Sequence, residues 1–156
     1  MENEIEVIQP SFAEVADLMQ QEEQVVVKVN ETLENNSYTR EIFIPKGTLI
    51  IGYKHKKSCV NILTKGALLI KTSPEDEGTE VYVPENQSFV FHTDPNSQKM
   101  LYAIEDTIMI GVFCNIEGET VEEVMLECVY PDSVTEMTKS YEQHVQNVQK
   151  LVNQGR

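Results

Sequence analysis

Three cysteines, three histidines and twelve basic residues against 26 acids are what this chain of 156 residues has little of. Cys59, Cys114 and Cys128 are odd in number and widely spaced. That fits neither a disulfide framework nor a zinc cluster built from paired cysteines, so reduced thiols are expected. The formal charge of −14 argues against general binding to nucleic acid or to an anionic membrane, both of which need a basic surface. No apolar run approaches the ~18 residues of a membrane span, and Met1 to Gln9 carry acids and no apolar signal region, so a cytoplasmic protein is expected. No phosphate loop, dinucleotide fingerprint, serine elbow or nucleic-acid module occurs.

What is present is enough for one folded domain. The length suits a single core, and a hydrophobic fraction of 40% is too high for a disordered chain. The charge is unevenly spread. From Arg40 to Lys71 there are seven basic residues and one acid, a window of +6 that leaves −20 for the rest. Such a stretch either pairs with the chain's own acids or a neighbouring subunit, or offers lysines as point charges to an anion.

Ser11 with Glu14 forms a capping-box signature ahead of Phe12, Val15, Leu18 and Met19, which share a helical face over 11–24. The run Val25, Val26, Val27 and Val29 then reads as a strand. Short strands follow over 42–44, 48–53, 60–63, 67–71, 80–83, 88–91 and 107–115, with turn residues between them. This regular spacing predicts a closed sandwich or barrel. Its expected core is Ile42, Ile44, Leu49, Ile51, Ile62, Leu69, Val83, Phe89, Ile108 and Ile110, with Cys114 inside. A second capping box, Thr120 with Glu123, opens a helix lined by Val121, Val124, Met125 and Cys128 up to Tyr130 and Pro131. A last helix over 132–153 would carry Val134, Met137, Tyr141, Val145, Val148 and Val152 at heptad-like spacing, either packed on the barrel or joining subunits. His144 falls on its surface. The domain reading is an N-terminal segment and helix over 1–24, a barrel over 25–117 and C-terminal helices over 118–156.

The segment from Pro45 to His55, followed by Cys59 to Gly66, resembles the first motif of the cupin superfamily. His55 matches the second histidine of that motif and Gly66 its closing glycine, while Tyr53 and Cys59 stand where the first histidine and the glutamate would be. The second motif is eroded over Asp94 to Lys99, with Lys99 near the last ligand position. The run from Tyr38 to Asn115 also resembles small cupin-like proteins encoded by bacteriophages, which carry histidines near the positions of Cys59 and Ile104. The resemblance implies a mainly β fold, a cupin-like antiparallel β-barrel (a double-stranded β-helix) flanked by N-terminal and C-terminal helices.

A catalytic cupin metal needs three or four N/O ligands and an open coordination position. The candidate metal ligands here are His55, Cys59 and His92. A candidate ligand-binding set comprises Tyr53, Lys54, His55, Lys56, Lys57, Cys59, Asn61, Lys99 and Tyr102. The first expectation is a non-enzymatic binding or assembly protein, phage-encoded, with a degenerate metal site, no catalytic residues and a homo-oligomeric state. Its lysine-rich face would take an anionic small molecule or a host or phage protein, in a virion accessory role or to neutralise a host factor. A cofactor, if any, would be a divalent metal. Two alternatives remain open, a metal-dependent cupin enzyme acting on a small molecule and an acidic imitator of nucleic acid.

Overall fold

Alternation along the strands decides what this chain encloses, and a computed structural model describes it for residues 10–130 and 137–140. Helix α1, Phe12–Gln20, starts where Glu14 N–H donates to Ser11 Oγ at 3.1 Å. It buries Phe12, Val15, Ala16 and Met19 against Leu49, Ile51 and Met100. The strands are β1 Lys28–Glu34, β2 Ser37–Ile44, β3 Thr48–Ile51, β4 Lys54–His55, β5 Cys59–Lys71, β6 Thr79–Val83, β7 Phe89–Thr93, β8 Met100–Ala103 and β9 Thr107–Phe113. Helix α2, Val121–Cys128, runs into β10, Val129–Tyr130, and β11 spans Met137–Ser140.

All pairings are antiparallel, in the order β1-β2-β9-β5-β8-β3-β11, with β6 and β7 also on β5, while β10 pairs with β4 alone. The sheet is curled, and its inner face holds Ile42, Ile44, Ile50, Leu63, Leu68, Ile70 and Leu101. The β1–β2 hairpin turns on Asn35 and Asn36, both at positive φ, which suits the right-handed twist of the strands.

Strand β5 was expected as two strands broken at Lys65–Gly66. It is one 13-residue strand with a bulge between Leu63 and Lys65. Its first half pairs with β7 and β9, its second with β6 and β8. Gly66 has φ +102, and a Cβ there would lie 2.4 Å from the Asp106 carbonyl oxygen and 2.5 Å from Thr107 Oγ1. Only glycine bends the strand against that neighbour.

Several sequence expectations are corrected. On β9 the inward residues are Thr107, Met109, Gly111 and Phe113, so Ile108 and Ile110 point outward and Cys114 is exposed. A register read one residue off moves every side chain to the other face. Phe89 is 40% exposed, and Ile62 and Leu69 are only half-buried, whereas Val83 packs half-buried against the inner cluster as expected. Val25, Val26 and Val27 precede β1 rather than forming it, because the partner β2 ends at Ile44, just before Pro45. Strand β8 went unrecognised, being only four residues between polar flanks. Val121 lies on the exposed side of α2, which buries Val124 and Cys128 instead. The predicted last helix gives way over Met137–Ser140 to strand β11, which covers the edge of β3 with its own backbone; the rest of that helix, with His144, lies outside the described residues.

Gly66→Ala is expected to lower unfolding stability by about 3 kcal/mol, because it adds both a clash and a strained φ. Gly52→Ala, whose Cβ would meet only the Lys99 carbonyl at 4.0 Å, is expected to change little. Equilibrium denaturation of the two variants checks the contrast.

Candidate functional site

Inward residues of β2, β3, β7, β8 and β9 leave a cavity of about 120 Å³ inside the barrel. Its apolar lining includes Ile42, Ile50, Phe91, Leu101, Met109 and Phe113. Gly111 lines it too, and its missing side chain leaves Cys59 Sγ 3.4 Å from where a Cβ would stand. Helix α2 closes one end, packing Val124 and Cys128 with Tyr38, Phe113 and Ile116.

Polar groups enter from three directions. Strand β4 presents His55, whose backbone N–H donates to the Ser97 carbonyl at 3.0 Å and whose ring lies 5.3 Å from that of Phe113. The start of β5 presents Cys59 and Asn61, two residues apart and thus on one face. Lys99 precedes β8, and its backbone is pinned where Gly52 N–H donates to its carbonyl at 3.1 Å. Its ammonium donates to Thr93 Oγ1 and to the His92 carbonyl at 3.3 Å, and sits 5.0 Å from the centroid of the Phe91 ring. Asn61 Nδ2 donates to the same Thr93 oxygen at 2.8 Å, and the Cys59 thiol faces Asn61 Oδ1 at 3.8 Å. The network therefore runs from a thiol and an ammonium onto one shared hydroxyl.

Burial sets the charge states. It raises the Cys59 thiol to about 11, so the sulfur keeps its proton at neutral pH. Burial first, and the Lys99 charge second, hold His55 down to about 4, so the imidazole is neutral. Burial also lowers Lys99, to about 8. His55 Nδ1 is buried without a hydrogen-bond partner.

The candidate residues separate into groups. Tyr53, His55, Cys59 and Lys99 line the cavity, with Asn61 behind them. Tyr102 packs outside the barrel against the α1 cluster. His92 is exposed on the outer side of β7, since Phe91 and Thr93 take the inward positions, so it does not join His55 and Cys59. The lysine cluster serves the C-terminal elements. Lys57 pairs with Glu127 at 2.5 Å, Lys56 donates to the Leu126 carbonyl at 2.8 Å, and Lys54 and Lys56 both lie over the Tyr130 ring. Arg40, Phe91, Met109, Gly111 and Phe113 were missed. The alternation along 89–93 and 107–113 marks the aromatic and small residues among them once the register is right.

The metal that a cupin fold implies does not fit these donors. One imidazole, a protonated thiol, a tyrosine and an ammonium stand where ligands would be needed, and the ammonium would repel a cation. Among the described residues no three His, Cys, Asp or Glu side chains gather as a metal site, and no helix is long and apolar enough to cross a membrane.

No protein-family model and no curated protein matches the chain. Solved structures resemble it. Ectoine synthase from P. lautus has a TM-score of 0.52 at 12% identity, covering 85% of this chain and 89% of its own. A cupin superfamily protein from Desulfitobacterium hafniense has a TM-score of 0.48 at 10% identity, covering 62% and 83%. An RmlC-like cupin from Shewanella frigidimarina has 0.46 at 14%, covering 64% and 89%. At such identities the likeness bears on the fold alone, and the fold is a cupin-like β-barrel with a few helices.

The depressed His55 has a consequence for stability. Between pH 6.5 and about 4 the unfolded histidine binds a proton that the folded one refuses, so stability falls on acidification across that window. His55→Gln is expected to flatten the melting temperature between pH 6.5 and 4.5 relative to the unsubstituted protein. Parallel thermal melts check it, and equal slopes would contradict it.

Proposed function

We propose that this cupin-fold chain is a non-enzymatic binding protein that holds a small organic ligand inside its barrel without a metal. The observation that carries the reading is Lys99, an ammonium in an apolar cavity where a metal-dependent cupin would need a ligand. The lysine-rich segment Lys54, Lys56 and Lys57 is given another task, latching α2 and β10 over the barrel end. The resemblance to small phage cupins extends the proposal to a phage-encoded protein that captures a molecule of the host, or serves as a virion accessory. Metal independence is tested by thermal melts with EDTA and with added zinc, manganese, iron(II) or nickel. No shift dependent on His55 is expected. A stoichiometric metal lost in His55→Gln would overturn the reading in favour of a metal-dependent enzyme.

Assembly belongs to the same proposal, with a second copy as the partner. The outer face of β3 and β8 is covered by α1. The corresponding face of β5, β7 and β9 presents Val60, Ile62, Val90, Ile108, Ile110 and Val112, of which Val90 is 51% exposed. With strands ~4.8 Å apart and outward residues ~7 Å apart, these three strands give a patch of roughly 300 Å². That is under half of what each partner gives a standard interface, which suits a weak, dissociable two-fold pair. Such a pair sets the same patch against itself. Ile110→Asp is expected to leave the barrel folded and lower the sedimentation coefficient. Leu63→Asp, at a fully buried position, is expected to prevent folding, since an unpaired buried charge costs several kcal/mol of a total of ~5–15. An Ile110→Asp variant that sediments like the parent would sink the assembly claim.

A further inference from the structure

We infer that the cavity takes a small organic monoanion, its carboxylate meeting Lys99 and its apolar body lying against Phe91, Met109 and Phe113. The inference rests on the reading of the barrel as a binding site and adds the charge and shape of what binds.

Charge comes first. An ammonium has three N–H donors, and Lys99 uses two, on Thr93 Oγ1 and the His92 carbonyl. Among the described residues no carboxylate lies within ion-pair distance of it, and Asp94 acts on it only from farther off. At the other side of the cavity Arg40 stands opposite Glu31 in the β1–β2 register, and Tyr38 Oη donates to Glu31 Oε2 at 2.9 Å, so a carboxylate is already there. His55, buried and beside Lys99, is neutral and adds no second positive charge. One positive charge with no carboxylate paired directly to it therefore faces the cavity, and a half-buried charge is stabilised by an opposite charge brought next to it. One charge matches a monoanion better than a dianion.

Shape comes second. The lining is dominated by aliphatic and aromatic side chains, with Phe91 placed directly beneath the ammonium. A cavity on the order of 150 Å³ accepts a benzene ring, and about 120 Å³ is of that scale. A bare inorganic anion would leave the apolar wall unused, and a neutral ring would leave Lys99 without a paired carboxylate. A ring or short branched chain bearing one carboxylate uses both.

The test is calorimetric titration of the full chain with three probes: benzoate, benzyl alcohol and inorganic phosphate. Benzoate is expected to bind once per chain, at least tenfold more tightly than either of the others. Lys99→Met should bring benzoate down to the level of benzyl alcohol, and Gly111→Val, which grows into the cavity, should abolish both. Benzoate affinity should also fall as pH rises above about 8, where free Lys99 loses its charge. Equal binding of benzoate and benzyl alcohol, unchanged by Lys99→Met, would overturn the monoanion and leave the binding cavity standing. Phosphate binding that depends on Lys99 while benzoate fails would overturn the apolar body. If no probe binds, or Gly111→Val binds as the parent does while its melt shows it folded, both the inference and the binding reading fail. Circular dichroism of each variant separates loss of binding from loss of fold.

Discussion

The bend in β5 is the constraint on which the rest of the structure depends. One 13-residue strand crosses from one half of the barrel to the other, and four strands, β6, β7, β8 and β9, pair along it. Gly66 makes the crossing possible by lying against the backbone of Asp106 and Thr107 where a Cβ has no room. Thr107 fastens the bend from the other side, its hydroxyl taking the Ala67 N–H at 3.2 Å and lying 3.1 Å from the Ala67 carbonyl. Because the first half of β5 is held this way, Cys59 and Asn61 face the interior in register with Phe91, Thr93 and Gly111.

The site follows from what the barrel does to the groups it encloses. A buried thiol stays protonated and a buried imidazole stays neutral, so two residues of types that serve elsewhere as metal ligands or nucleophiles become quiet members of a wall. Lys99 differs because an ammonium between a hydroxyl, a carbonyl and an aromatic face keeps enough stabilisation to remain charged near neutral pH. Lys54, Lys56 and Lys57 of the basic window play no such part. Their charges meet Glu127, main-chain carbonyls and Tyr130 at the closed end of the barrel.

Local signals were legible in the sequence, and those that depend on strand register were not. Both capping boxes announce their helices, since a cap is settled by residues three apart: Ser11 with Glu14, and Thr120 with Glu123. The motif around Gly66 gave the fold, and Tyr53, His55, Cys59 and Lys99 from the same two motifs do line one cavity. Strand β9 misled, because Ile108, Ile110 and Val112 are the branched residues and yet face outward, while Met109, Gly111 and Phe113 face in. Branched side chains mark a strand, but which face is buried depends on the neighbouring strands. His92 fell to the same ambiguity on β7, one step from the inward Phe91 and Thr93.

A site organised around an enclosed ammonium is tested most directly by titrating the Lys99 side chain itself, followed by nitrogen-detected nuclear magnetic resonance of lysine-labelled protein with Lys99→Arg as the assignment control. One lysine is expected to titrate near 8, well apart from the others. A Lys99 signal that titrates with the exposed lysines, near the ordinary value of about 10.4, would contradict it.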